Sequence, residues 1–128
     1  MSRGILSAVC HVPERKRMEF TEGLKKNIDF GKVYRKGKSR ANRQLVLYIL
    51  SNGTDKNRLG ISVSKKVGNS VVRHRIKRLI KEAYRLNEPA FARGYDLVFI
   101  ARTDAAGKTY EEIEKSVLHI SDLMGISI

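Results

Sequence analysis

The stretch that decides the fold runs from Arg58 to Asn87, RLGISVSKKVGNSVVRHRIKRLIKEAYRLN. It opens with an alternation in which Leu59, Ile61 and Val63 are apolar and Gly60, Ser62 and Ser64 are small or polar. That pattern marks a strand with one buried face and one small, polar face. A glycine loop follows, Lys65-Lys66-Val67-Gly68-Asn69, and then the spacing changes. Val72, Ile76, Leu79, Ile80 and Ala83 recur at helical spacing on one side. Asn69 or Ser70 can cap this helix, and Pro89 ends the helical region. Opposite the apolar side lie His74, Arg78, Lys81 and Arg85, with Lys77 flanking and Arg73 and Arg75 at the two edges. The stretch holds nine Lys/Arg, the six just named beside His74 with Lys65, Lys66 and Arg58 completing the set, against one acid, Glu82.

Working outward, Tyr95–Ala101 is mostly apolar on both faces and reads as a central strand. Thr109 and Glu112 form a capping box for a further helix. Its core stripe is Ile113, Val117, Ile120 and Met124, and Gly125 is its stop. Towards the N-terminus, Asn27 can cap a short helix reaching Lys36, with Gly37 as a left-handed stop. Phe30 and Tyr34 share one face of it. Leu45–Leu50 is an apolar strand bounded by Ser51-Asn52-Gly53. The turn-rich link from this strand to the one at Leu59 predicts a hairpin. The resulting order is α-β-β-(β)-α-β-α, the first half holding two or three strands. A parallel crossover through the basic helix would ordinarily be right-handed. Residues 1–17 lack sustained periodicity and read as a loose basic extension, and 18–128 as a single RNA-binding domain.

The chain has 128 residues and a formal net charge of +13, a length that suits one core. The last stretch, Lys108–Ile128, carries four acids against two lysines, so the positive charge is placed rather than spread. A one-signed basic surface favours polyanions as partners. No apolar run reaches the length of a membrane span. Cys10 is alone, which excludes an intrachain disulfide and fits a reducing cytoplasm. No secretory cleavage pattern follows a proper apolar segment.

Catalysis by the polypeptide finds little support. His11, His74 and His119 fall in the extension, on the basic face and on the last helix. Carboxylates are sparse in the basic half, and Glu111, Glu112 and Glu114 sit in the first turn of a helix, where they suit its dipole. No Walker, GxGxxG or GxSxG pattern occurs. Binding is better supported. Lys65 and Lys66 lead through Gly68 and Asn69 into a helix N-terminus, an arrangement suited to phosphate. Phe30, Tyr34 and Tyr48 can stack on unpaired bases. Lys32, Arg35, Lys36, Lys38, Arg40 and Arg43 surround them with charge, and the Ser62/Ser64 face can line the same groove.

LKKNIDFGKVYRKGKSRANRQLVLYIL followed by RLGISVSKKVGNSVVRHRIKRLIKEAYR resembles the protein subunit of bacterial ribonuclease P, over about Leu24 to Val117. The resemblance implies a ribonucleoprotein endonuclease that removes the 5′ leader from precursor tRNA. Its partners would be the catalytic RNA subunit, in a 1:1 complex with one monomeric protein, and precursor tRNA, with no part for DNA or a membrane. The catalytic Mg2+ would be held mainly by the RNA. The implied fold is an α/β (α+β) two-layer sandwich, α-β-β-β-α-β-α, with a central mixed sheet and a left-handed crossover through the basic helix. The family's Arg-Asn-Arg signature falls on Arg73, His74 and Arg75, so this chain departs from it at His74. The leader-binding aromatics fall on Phe30, Tyr34 and Tyr48. The RNA-facing region falls on Lys65, Lys66, Asn69, Arg73, His74, Arg75, Lys77, Arg78, Lys81 and Arg85. The competing class is a ribosomal-type structural RNA-binding protein, which predicts no effect on tRNA maturation. A free-standing RNase is weaker, for want of a carboxylate or histidine cluster.

Overall fold

A computed structural model describes residues 18–127. In chain order the elements are β1 (Thr21–Gly23), α1 (Asn27–Lys36), β2 (Lys38–Ala41), β3 (Leu45–Ser51), β4 (Asn57–Val63), α2 (Ser70–Leu86), β5 (Tyr95–Ala101) and α3 (Tyr110–Met124). Short 3-10 turns lie at Glu88–Ala90 and Thr103–Ala105. The five strands form one mixed sheet in the order β1-β4-β5-β3-β2. The apolar strand read as central is central. β5 pairs parallel with β4 and antiparallel with β3, and α2 is the crossover that joins β4 to β5.

The predicted hairpin between β3 and β4 does not form, because β5 is inserted between them. Both strands bury Leu, Ile or Val towards the same core, and β5 can satisfy the hydrogen bonds of two neighbours at once. A local turn signal cannot register that gain. β1 was not anticipated either. It is three residues long and pairs parallel with β4 from Thr21↔Asn57 to Gly23↔Leu59. A distant carboxylate anchors its start: Glu88 accepts hydrogen bonds from the backbone N–H groups of Glu19 (2.7 Å) and Phe20 (3.1 Å) and from the Thr21 hydroxyl (2.6 Å). Glu88 is 2% exposed, so these donors replace the water its charge gives up.

Strand alternation sends two different sets of side chains to the two faces. Leu45, Leu47 and Ile49 of β3, Leu59 and Val63 of β4, and Leu97, Phe99 and Ala101 of β5 lie on one face, where α2 and α3 cover them. Ile76, Ile80 and Ala83 of α2 and Ile113, Val117 and Ile120 of α3 complete this core. Val72 and Leu79 pack at its edge, and Tyr84, outside the predicted stripe, is fully buried. Asn57 donates to the Tyr84 hydroxyl at 3.1 Å, and burial raises the pKa of that phenol. α1 lies on the opposite face, its buried Val33 packing with Leu24 and Val98.

The ends of the helices test the capping predictions one by one. α2 starts at Asn69, whose side chain accepts from the Val72 N–H at 3.0 Å. α3 has its full capping box, and Gly125 closes it at φ 78°, in the left-handed region. α1 differs. Its N-cap is Lys26, with no side-chain cap, and Asn27 is already helical. Gly37 is extended (φ −81°, ψ 167°) rather than left-handed. A Cβ there would come within 2.4 Å of the Ile49 carbonyl oxygen and 2.5 Å of the Val33 carbonyl oxygen. Glycine is required at Gly37 by the close passage of backbones, not by a positive φ.

Candidate nucleic-acid interface

The α1 face of the sheet is built in rungs. Leu50, Asp96 and Arg58 form the first; Ser39, Tyr48, Val98 and Gly60 the second; Ala41, Val46, Ile100 and Ser62 the third. An ion-pair network on the first rung docks α1. Arg58 donates through Nε and Nη2 to the two oxygens of Asp96 (2.9 and 2.7 Å) and through Nη1 to Asp29 of α1 at 3.3 Å. Asp96 is buried and also accepts from Asn52 at 3.0 Å. Arg58, one of the nine basic residues of the deciding stretch, therefore serves the fold.

With α1 held there, its aromatics reach the second rung. Phe30 sits on Gly60, where a Cβ would come within 2.6 Å of the ring. Tyr34 lies 6.3 Å from Phe30 and 5.1 Å from Tyr48, edge-on to the latter (centroid distances). Tyr34 is 39% exposed; burial of its ring raises the phenol pKa, and a hydrogen bond with Ser62 opposes the rise. Phe30 and Tyr48 are half-buried. The third rung is only partly covered, which leaves a floor of Val46, Ile100 and Ser62 beside the rings. Lys32, Arg35, Lys36, Lys38, Arg40 and Arg43 are all exposed around this half-open face.

α2 carries the second set. His74, Arg78, Lys81 and Arg85 form a ridge along the helix between two grooves. One groove is bordered by Ser70, Val71, Arg75 and Glu82, all of α2. The other, which includes Lys77, runs beside β4. His74, Lys77, Arg78 and Lys81 are exposed, and none forms an ion pair with a described residue. Arg85 is different: it is half-buried and paired with Glu82 one turn back, its Nε 3.2 Å from the carboxylate. Arg75 is exposed but donates to the Lys108 carbonyl at 3.1 Å, tying α2 to the approach of α3. Arg73 is half-buried, with its Nε enclosed and without a hydrogen-bond partner. Lys65 and Lys66 are exposed at the end of β4, in a turn closed by the Val67 N–H on the Ser64 carbonyl at 3.1 Å. The phosphate role given to Gly68 has a competitor: a Cβ there would lie 2.8 Å from the Val72 side chain, so packing alone requires the glycine.

Among the described residues, no three His, Cys, Asp or Glu side chains come together as a metal site. No described helix is long and apolar enough to cross a membrane. His119 is exposed, 3.4 Å from the Asn42 amide through Nδ1.

The family model described as Ribonuclease P matches residues 18–124. The chain belongs to the ribonuclease P protein family. It is 54% identical over 103 residues to the ribonuclease P protein component of Alkaliphilus metalliredigens, covering 80% of this chain and 93% of that one. The solved RNase P protein of Staphylococcus aureus is 42% identical, with a TM-score of 0.76 over 81% of this chain and 95% of its own. The RNase P protein of Thermotoga maritima is 29% identical, with a TM-score of 0.74 over 80% and 96%. The family match extends beyond the Leu24–Val117 stretch that carries the resemblance, and the mixed sheet with three helices agrees with those solved ribonuclease P proteins. Within this ribonuclease P family fold, neither the Glu88 anchor nor the Arg58 network was found from sequence. Glu88 follows a helix and precedes Pro89, an ordinary surface context, and Arg58 reads in sequence as one more cation of the basic cluster.

Proposed function

We propose that this chain is the protein subunit of a ribonucleoprotein endonuclease that removes the 5′ leader of precursor tRNA, binding both the catalytic RNA and the leader. The observation that carries the proposal is the half-open sheet face: Tyr34 in ring contact with both Phe30 and Tyr48, a floor of Val46, Ile100 and Ser62 beside them, and exposed cations along α1, β2 and the loop after it. An unpaired strand fits such a face, since its bases can stack on the rings while lysines and arginines meet its phosphates. A duplex cannot offer free base faces to it. The exposed cations of α2 and of Lys65-Lys66 supply a second phosphate-binding surface, suited to the structured catalytic RNA.

In this reading the protein contributes position and charge. Its stacking face holds the leader away from the tRNA body, and neutralised phosphates ease the approach of two polyanions. Mg2+, held mainly by the RNA, would supply the chemistry of activating the attacking water. One protein monomer serves one RNA, in the cytoplasm.

The test is reconstitution. A labelled precursor tRNA is incubated at low Mg2+ with catalytic RNA, with this protein, and with both. Cleavage that requires both, with none from the protein alone, is the expected result. No rescue by correctly folded protein would sink the proposal and leave a structural RNA-binding protein. Lys66→Ala should weaken assembly with the catalytic RNA and reduce the steepness of its salt dependence by about one charge.

A further inference from the structure

β1 stops early. Its pairing with β4 ends at Gly23↔Leu59, closed by the Leu24 N–H on the Leu59 carbonyl at 2.8 Å. The Asn57 N–H likewise points to β1, on the Phe20 carbonyl at 2.7 Å. By strand alternation the backbone groups of Ile61 face the same side, where no described strand pairs with them. A groove of about 610 Å3 follows this open edge. Its floor is apolar: Met18, Leu24, Phe30, Leu59 and Ile61. One wall is the α2 ridge, and Lys77 joins Lys81 and Arg85 there at successive helical turns. Four residues of helix rise about 6 Å, close to the step between phosphates of an extended strand. Among the residues lining the groove, Glu22 is the sole acid, and it is paired with Lys56 at 3.6 Å.

Phe30 belongs to both surfaces. Its ring rests on Gly60 in the aromatic row, and it also lines the edge groove. The sheet face and the groove are therefore continuous around the edge of β4. We propose that the β4-edge groove binds single-stranded RNA, taking the leader nucleotides farther from the cleavage site after they leave the aromatic face. Lys77 and Lys81 hold successive phosphates there, and the apolar floor receives a base or ribose. This rests on the leader-binding reading above and extends it, since it assigns Lys77 and Lys81 to substrate rather than to catalytic RNA. An extended acidic peptide is the weaker occupant, because the free edge past Leu59 is too short for a ladder of many backbone hydrogen bonds.

The test compares precursor tRNAs whose leaders lengthen stepwise, bound to holoenzyme carrying wild-type protein or the Lys77→Gln/Lys81→Gln pair. The loss caused by the pair should grow with leader length, reaching about tenfold for the longest leaders. A loss equal at all lengths would assign these lysines to the catalytic RNA or the tRNA body and overturn the proposal; no loss would overturn it as well. A second arm does not depend on the leader. A single-stranded oligonucleotide bearing 4-thiouridine is photocrosslinked to the free, full-length protein and the attached peptides are mapped. Crosslinks to peptides holding Met18, Ile61 or Lys77 support the groove even if leader length proves irrelevant to wild-type affinity, a result that would sink the leader reading separately. Crosslinks confined to Tyr48 or Ile100, or tighter binding of polyglutamate than of an oligonucleotide of equal charge, would overturn the groove.

Discussion

The two faces of this sheet are made by the same strands and are finished in opposite ways. On the α2/α3 face, Leu47, Leu97 and Phe99 have no exposed surface. On the α1 face, Asp96, Val98 and Gly60 are buried under α1, but Val46, Tyr48, Ile100 and Ser62 keep part of their surface in solvent. The difference comes from coverage. Two helices of 17 and 15 residues lie on one side, and one helix of 10 residues lies on the other. A face covered by long helices can only stabilise. A face covered by a short one retains aromatic and small side chains that still have surface to offer a partner.

Substitutions on each face sharpen this contrast. The largest loss of stability is expected from Phe99→Ala, about 3–5 kcal/mol in urea unfolding, because a closed face cannot refill the cavity with solvent. Gly60→Val on the open face should cost less, about 1–3 kcal/mol, since the Phe30 ring it displaces can swing outward. Leader-dependent affinity should fall with it, and retained affinity would detach Phe30 from the stacking row. Tyr48→Ala should reverse the balance, with a modest change in unfolding midpoint and a loss of about 1–3 kcal/mol in binding of leader-bearing precursor. Equal binding of leader-bearing and leaderless precursor by this variant and by wild type would break the comparison.

The smallest effect lies outside both faces. Thr109→Ala removes the α3 cap and should cost about 0.5–2 kcal/mol with RNA binding unchanged. The loss should depend on pH. Hydrogen bonds from Thr109 hold the Glu112 carboxyl below its ordinary value. A lowered folded pKa adds stability above the unfolded value, and that stability disappears as the pH falls through the folded one. Alanine keeps the Thr109 backbone N–H, the larger of the two contributions, so the gap between wild type and Thr109→Ala should narrow in acid only by the share of the hydroxyl.

Where a signal is local, the sequence is a sufficient guide. Period-two alternation found β4, helical spacing found α2 and α3, and Thr109, Glu112, Asn69 and Gly125 marked helix ends, because each depends on atoms a few residues apart. The basic face of α2 was equally legible, since charges on an amphipathic helix turn to solvent when the apolar side is buried. A left-handed helix stop at Gly37 is a local inference for a distant cause, the Ile49 carbonyl passing 2.4 Å from where a Cβ would stand. The β3–β4 hairpin failed for the same reason.

Sequence alone thus determined which segments are helix or strand, which side of each is apolar, where positive charge gathers and which family the pattern resembles. Tertiary structure alone decided that β5 separates β3 from β4, that Glu88 anchors β1, that Arg58 is held by Asp29 and Asp96, and that Phe30, Tyr34 and Tyr48 share one open face. Strand order and ion-pair partners follow from competition among distant segments for one core and for the same hydrogen bonds. That competition is settled only when the whole chain packs together.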